Sequence, residues 1–243
     1  MRFLVSGLAA ALFFAATLDV HAEDPAPGQQ VAQVFQSAKS PDSRLGYLLY
    51  LPKDHGQASQ KYPLLMFLHG SGERGDDVNA VKKHGPPKLI ADGQHLPFVV
   101  VSPQCPTGKR WEAETLLELL DQLQTRYSID PARVYITGLS MGGAGTWSLL
   151  AAAPKRFAAA VAICGGAKPT TADAALHTPL WIVVGDRDNA ELVDNCRATA
   201  EVLKQKNADV KLTVMTGIGH DSWTQTYATP ELYDWMLRHR RVD

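Results

Sequence analysis
The sequence lacks most of the features that would place it in a specialised class. Three cysteines in 243 residues (Cys105, Cys164 and Cys196) are too few for a disulfide scaffold and allow one pair at most. A formal net charge of −1, with lysine and arginine scattered, leaves no basic stripe for nucleic acid and no acidic tail. There is no sustained heptad pattern and no internal repeat. No H-E-x-x-H motif or clustered His/Cys ligand set appears, so no metal and no cofactor is implied. The extended apolar stretch at residues 3–18 is short for a bilayer span and is interrupted by Ser6, Gly7 and Thr17.

That stretch reads differently as an export signal. Met1-Arg2 gives a positive start, and Val20-His21-Ala22 a small-x-small ending. Residues 1–22 are therefore expected to be a signal peptide cut after Ala22, giving an exported periplasmic or secreted protein with no stable membrane anchor. Residues 23–40 are expected to be a flexible, polar lead-in, and 41–243 one catalytic domain. With 45% hydrophobic residues, that length suffices for a self-supporting core.

The domain reads as alternating strands and helices. Continuous apolar runs at 45–51, 64–68, 98–102, 134–136, 158–163, 180–184 and 211–215 are the expected strands. Helical periodicity covers 112–127, 191–206 and 230–239, and a small-residue helix follows at 141–153. Asp130-Pro131 is expected to separate the first helix from the next strand. Such alternation implies an α/β fold: a mostly parallel central sheet with helices on both faces, and sites at the strands' carboxyl ends. Only about fifteen residues separate Cys164 from Leu180, too few for a large cap. Cys105 and Cys164 fall at the ends of strands that such a sheet would not place side by side.

Candidate chemistry gathers at those ends. Thr137-Gly138-Leu139-Ser140-Met141-Gly142-Gly143 follows a strand and opens a helix, with Ser140 at the apex of a G-x-S-x-G turn. A serine hydroxyl needs a base to take its proton, and the base needs a carboxylate to hold its tautomer. His220, in a glycine-framed loop after the last strand, is the candidate base. Asp188 and Asp186 compete for the acid, Asp188 being favoured by the spacing Gly185-Asp186-Arg187-Asp188, with Asp194 a distant third. The backbone N–H groups of Met141 and Ser71 (or Gly72) are the expected oxyanion hole. His69 is expected to shape the glycine-rich loop, with Glu73 and Arg74 as its salt-bridged scaffold. Trp111 and Trp223 are candidates to line the substrate, with ordinary packing as the competing reading.

Taken together, FLHGSGERGDD (67–77), VSPQCP (101–106) with Trp111, VYITGLSMGGAGTW (134–147), AICGG (162–166) and GIGHDSWTQTYATPELYDWM (217–236) resemble an α/β-hydrolase. The branch is that of secreted, dienelactone-hydrolase-like esterases, including "predicted peptidase" and carbohydrate-esterase-like proteins. The resemblance implies Ser140 as nucleophile, Asp188 as acid and His220 as base, with ester hydrolysis as the general activity; export and an open site favour short acyl or aryl esters, on small molecules or carbohydrate, as the substrates. The chain departs from that pattern in carrying Val184-Gly185, where His-Gly is usual, and Asn189-Ala190 after the acid. A peptidase of the prolyl-oligopeptidase kind and a silent binding module are the alternatives.

Overall fold
The computed structural model describes residues 24–40, 43–57 and 60–241. The expected signal peptide lies outside the described residues. No helix among the described residues is long and apolar enough to cross a membrane.

Eight strands form one sheet in the order β1-β2-β4-β3-β5-β6-β7-β8. They are β1 (Gln30–Gln36), β2 (Arg44–Tyr50), β3 (Tyr62–Leu68), β4 (Val99–Pro103), β5 (Ile129–Leu139), β6 (Ala159–Ile163), β7 (Leu180–Gly185) and β8 (Val210–Met215). β1 and β2 run antiparallel to their neighbours, and β4-β3-β5-β6-β7-β8 are all parallel. Every residue of β3, β4, β6 and β7 is buried, which is why each reads as an unbroken apolar run.

Two apolar layers cover the sheet. On one face Leu116, Leu119, Leu120 and Leu123 of α2 (Ala113–Arg126) pack with Trp147, Leu149 and Leu150 of α3 (Met141–Ala152), and α4 (Ala190–Gln205) adds Val193, Cys196 and Leu203. On the other lie α1 (Gly85–Ala91), α5 (Trp223–Ala228) and α6 (Pro230–Arg238), contributing Ile90, Tyr227, Leu232, Trp235 and Met236. Between β6 and β7 there is only a 3₁₀ turn, Pro169–Ala175, so no cap covers the strand ends there.

Two expectations need correction, and two elements were not foreseen. Residues 30–36, assigned to the flexible lead-in, form edge strand β1, paired in register with β2 from Gln30↔Tyr50 to Gln36↔Arg44. Alternating burial at Val34, Phe35 and Gln36 belongs to a strand with one wet face, a weaker signal than an apolar run. Asp130-Pro131 does not end an element before β5 but lies within it. The register steps from Tyr62↔Ile129 to Leu64↔Val134, so the proline sits in a bulge, where its missing N–H breaks no ladder bond. The short helices α1 and α5 were not anticipated, because α1 starts at Gly85-Pro86-Pro87 and α5 has only six residues.

The β5–α3 turn depends on backbones that nearly touch. An added Cβ at Gly142 would sit 1.9 Å from the Leu68 carbonyl oxygen, and one at Gly138 would sit 2.2 Å from that of Gly142. Gly142→Ala therefore forces β3 and α3 apart. We expect a loss of at least about 3 kcal/mol in urea unfolding, at the upper end for overpacked sites. An unchanged midpoint would mean that this contact is not rigid.

Candidate active site
Ser140 connects β5 to α3 with φ 52° and ψ −114°, a conformation that an L-residue holds only under constraint. The constraint comes from both sides. The Ser140 N–H donates to the Ile163 carbonyl at 2.9 Å, and its own carbonyl accepts from the Ala144 N–H at 3.1 Å. The turn aims the hydroxyl away from the sheet and places Met141 at the first position of α3. The leading N–H groups of a helix have no intrahelical acceptor there.

The Ser140 hydroxyl meets the His220 ring at 3.0 Å, at Nε2, and His220 Nδ1 meets Asp188 Oδ2 at 2.8 Å. With Nδ1–H donating to the carboxylate, Nε2 is left as the acceptor for the serine proton. The second Asp188 oxygen accepts from the Asn189 N–H at 2.7 Å, and the Asn189 side chain caps α4 through the Leu192 N–H. Asp186 faces elsewhere. Its Oδ1 accepts from the Gly217 N–H at 2.8 Å, which pins the loop after β8 where His220 resides. The favoured carboxylate thus reaches the histidine, and its competitor is a loop fastener bonded to backbone rather than to Arg187. The Asp188 side chain is 6% exposed and that of His220 48%, so the relay is anchored at its acid end and open to solvent at its base.

Trp223 packs edge-on against the His220 ring, centroids 5.4 Å apart, and also against His84 at 5.5 Å. It supports the imidazole from behind. Trp111 donates its Nε1–H to the His69 carbonyl at 3.2 Å and crosses that ring at 4.8 Å. Both tryptophans are only partly buried.

The loop after β3 is tied to the loop after β4. His69, wholly buried, accepts the Cys105 N–H at Nε2 (2.9 Å) and faces the Gly70 carbonyl with Nδ1 (2.5 Å), which fixes the neutral Nδ1–H tautomer. Gln104 donates to the carbonyls of Glu73 and Asp77. The Glu73 carboxylate accepts the Gly70 N–H at 3.1 Å and lies within 4 Å of Lys83 and His84. Its partners are these groups and not Arg74, contrary to the sequence expectation. Arg74 instead bonds the carbonyls of Ser71 and Lys109. Because the Gly70 N–H is occupied, Ser71, exposed at the start of the 3₁₀ turn Ser71–Glu73, is the next donor along the loop. Sequence reasoning missed Gln104 and His84. The motif VSPQCP held the signal for Gln104, a buried amide directly after a strand.

The three thiols are free and buried. Cys164 has φ 43°, and its sulfur lies with the Asp188 and His220 ligand atoms inside 4.8 Å, a trio that the distant positions 164, 188 and 220 hid from sequence reading. A metal ion held by all three would compete with the contacts that now join Asp188 to His220 and His220 to Ser140. Burial pushes the Cys164 thiol up to about 12, so it is no rival nucleophile at neutral pH.

Burial lowers His69 to about 4, well below the ordinary histidine value of 6.5. A depressed base is protonated first in the unfolded chain. Its contribution is thus complete above pH 6.5 and is lost as pH falls towards 4. The drop is worth about 3 kcal/mol at most. Urea midpoints should decline across that window more steeply for the native chain than for His69→Gln. Parallel declines would remove His69 as the cause.

The comparisons with known proteins agree with this geometry. The chain is 32% identical over 135 residues to a bifunctional acetylxylan esterase/xylanase of Neocallimastix patriciarum, covering 52% of this chain and 19% of that protein. It is 33% identical over 121 residues to a poly(3-hydroxyalkanoate) depolymerase of Paucimonas lemoignei, covering 43% and 28%. The chain thus spans less than a third of either relative. Among solved structures, a thermostable esterase superposes with TM-score 0.76 at 30% identity, over 87% of this chain and 63% of that one. A feruloyl esterase module from Clostridium thermocellum, at 17% identity and TM-score 0.62, covering 88% and 89%, shares the fold. The α/β-hydrolase fold follows from these superpositions and from the sheet order. The model of the dienelactone hydrolase family matches residues 106–231, just over half of the chain, and the chain belongs to that family.

Proposed function
We propose that this protein is an exported serine esterase that cleaves short acyl or aryl esters, carried on small molecules or carbohydrate, through an acyl-enzyme. The observation that carries the proposal is the continuous relay Ser140 Oγ–His220 Nε2 and His220 Nδ1–Asp188 Oδ2, at 3.0 and 2.8 Å, on a strained strand–helix turn. In the proposed reaction Ser140 Oγ attacks the ester carbonyl while His220 takes its proton. The same proton then passes to the departing alkoxide, and Asp188 stabilises the imidazolium between the two transfers. Water repeats the sequence on the acyl-enzyme and frees the acid. The Met141 N–H at the α3 terminus and the Ser71 N–H receive the oxyanion, a contribution of about 3 kcal/mol for each donor.

The substrate class rests on the open strand ends and on the relatives. Without a cap, long acyl chains have nothing to cover them, whereas an ester on a polymer can approach from solvent. Two relatives are named for acting on polymeric esters, one for acetylxylan and one for poly(3-hydroxyalkanoate). Trp111 and Trp223, both partly exposed, are the stacking surfaces of this reading. Export is the reading of residues 1–22.

Hydrolysis of p-nitrophenyl acetate, p-nitrophenyl butyrate and a feruloyl ester by the mature protein, beside Ser140→Ala, tests the proposal. We expect Ser140→Ala and His220→Ala to lose nearly all turnover with folding intact. Asp188→Asn should lose roughly 10⁴-fold in kcat, and Asp186→Asn far less. Greater damage from Asp186→Asn would reverse the acid assignment. No ester hydrolysis above the Ser140→Ala background would favour a peptidase or a binding module.

A further inference from the structure
A cavity of about 390 Å³ lies beside the loop after β4, within the size range of ligand pockets. Leu45, Trp111 and Leu116 supply its apolar wall, and Arg44, Lys109 and Arg110 stand around it, with Glu112 the one carboxylate among its described lining residues. All three cations are exposed, and among the described residues none has an ion-pair or side-chain hydrogen-bond partner. Arg133 and Arg156, by contrast, are engaged, with Asp130 and Asp121.

The cavity is joined to the Ser140 site by structure. Arg44 begins β2 antiparallel to β4, so it lies at the same edge of the sheet as the carboxyl end of β4 and as Ser140. With the order β2-β4-β3-β5, it is three strand spacings from the Ser140 strand, about 14 Å. Trp111 faces both ways, as a wall of the cavity and as the ring packed on His69. Arg74 bonds the carbonyls of both Ser71 and Lys109, so the cavity rim and the proposed oxyanion loop are held at a fixed separation.

We propose that this cavity is a remote subsite for an acidic sugar, a uronate unit of the carbohydrate whose ester lies at Ser140. The indole and leucine wall stacks on the ring's apolar face, and Arg44, Lys109 and Arg110 receive the carboxylate. With Arg44 three strand spacings from the Ser140 strand, a substrate that reaches both sites is an oligosaccharide rather than a monosaccharide. A neutral polyester offers neither the ring nor, along its length, the charge. The proposal rests on the esterase reading, of which it specifies the substrate.

Binding and turnover separate the two. Full-length mature Ser140→Ala protein, titrated calorimetrically with acidic and with neutral xylo-oligosaccharides of equal length, should bind the uronate-bearing one roughly tenfold more tightly at low salt. That preference should shrink as salt rises. In Lys109→Ala/Arg110→Ala it should largely vanish, whereas Lys155→Ala/Lys204→Ala, which removes equal charge elsewhere, should keep it. With the acetylated forms of both oligosaccharides and the active protein, the ratio of KM values should follow the same pattern. Equal binding of acidic and neutral forms, or an equal loss in both double variants, overturns the subsite. So does stronger binding of 3-hydroxybutyrate oligomers, which carry one terminal carboxylate and no ring. Absence of turnover on every ester, with the binding preference intact, would instead sink the esterase reading alone.

Discussion

The structure turns on the contact between the β5–α3 turn and the strands on either side of it. Ser140 adopts a positive φ that an isolated chain would avoid. It is held there because Leu68, Gly142, Gly138 and Gly165 bring four stretches of backbone closer than a side chain would permit. A Cβ at Gly165 would stand 2.0 Å from the Ser140 carbonyl oxygen. The Leu68 carbonyl presses on α3 at Gly142, so the end of β3 and the start of α3 are one unit. The loop carrying Ser71 begins at that same point. The hydroxyl and both proposed oxyanion donors are therefore positioned by a single packing event, and strain at the serine is balanced by burial of the strands around it.

A second tier fixes what the turn cannot reach. His220 and Asp188 come from loops after β8 and β7, strands separated by β6 from the one that ends at the turn. Asp186 bridges the gap by binding the Gly217 N–H, while the Arg187 N–H binds the Ile218 carbonyl. The two loops thus move as a pair, and Trp223 backs the imidazole. A loop histidine, half exposed, would otherwise sample many rotamers, with an entropic cost at each alignment with Ser140.

The fold was legible because its strands are buried on both faces. Runs such as LLMFL and LWIVV admit few other readings, and the glycines around Ser140 mark a turn that tolerates no side chain. The meeting of Ser140, His220 and Asp188 was legible because each follows a strand, where this architecture gathers candidate chemistry. What escaped has a common physical origin. β1 has one wet face and so no apolar run. Pro131 sits in a bulge whose existence depends on register with β3. The Glu73, His84 and Gln104 contacts join residues up to 31 positions apart through carbonyls and side chains, and nothing in local spacing announces such a partnership. Cys164 beside Asp188 and His220 is the same case at longer range.

The absence of a cap over the β6–β7 connection shifts the burden of selectivity. A lidded hydrolase can discriminate by enclosing the acyl group in a dry pocket, where each methylene counts. Here His220 is half exposed and the strand ends are open, so little apolar enclosure is available at the scissile bond itself. Discrimination must then come from groups that touch the substrate away from the reacting carbon and are rigidly referenced to it. The loops after β3 and β4 meet that requirement, because His69, Gln104 and Arg74 bind one to the other through buried or bidentate backbone contacts. In the proposed reaction, binding energy collected on the β4 side orients an ester at Ser140 only as far as that network holds, which is the physical role of a neutral His69 buried out of the substrate's reach.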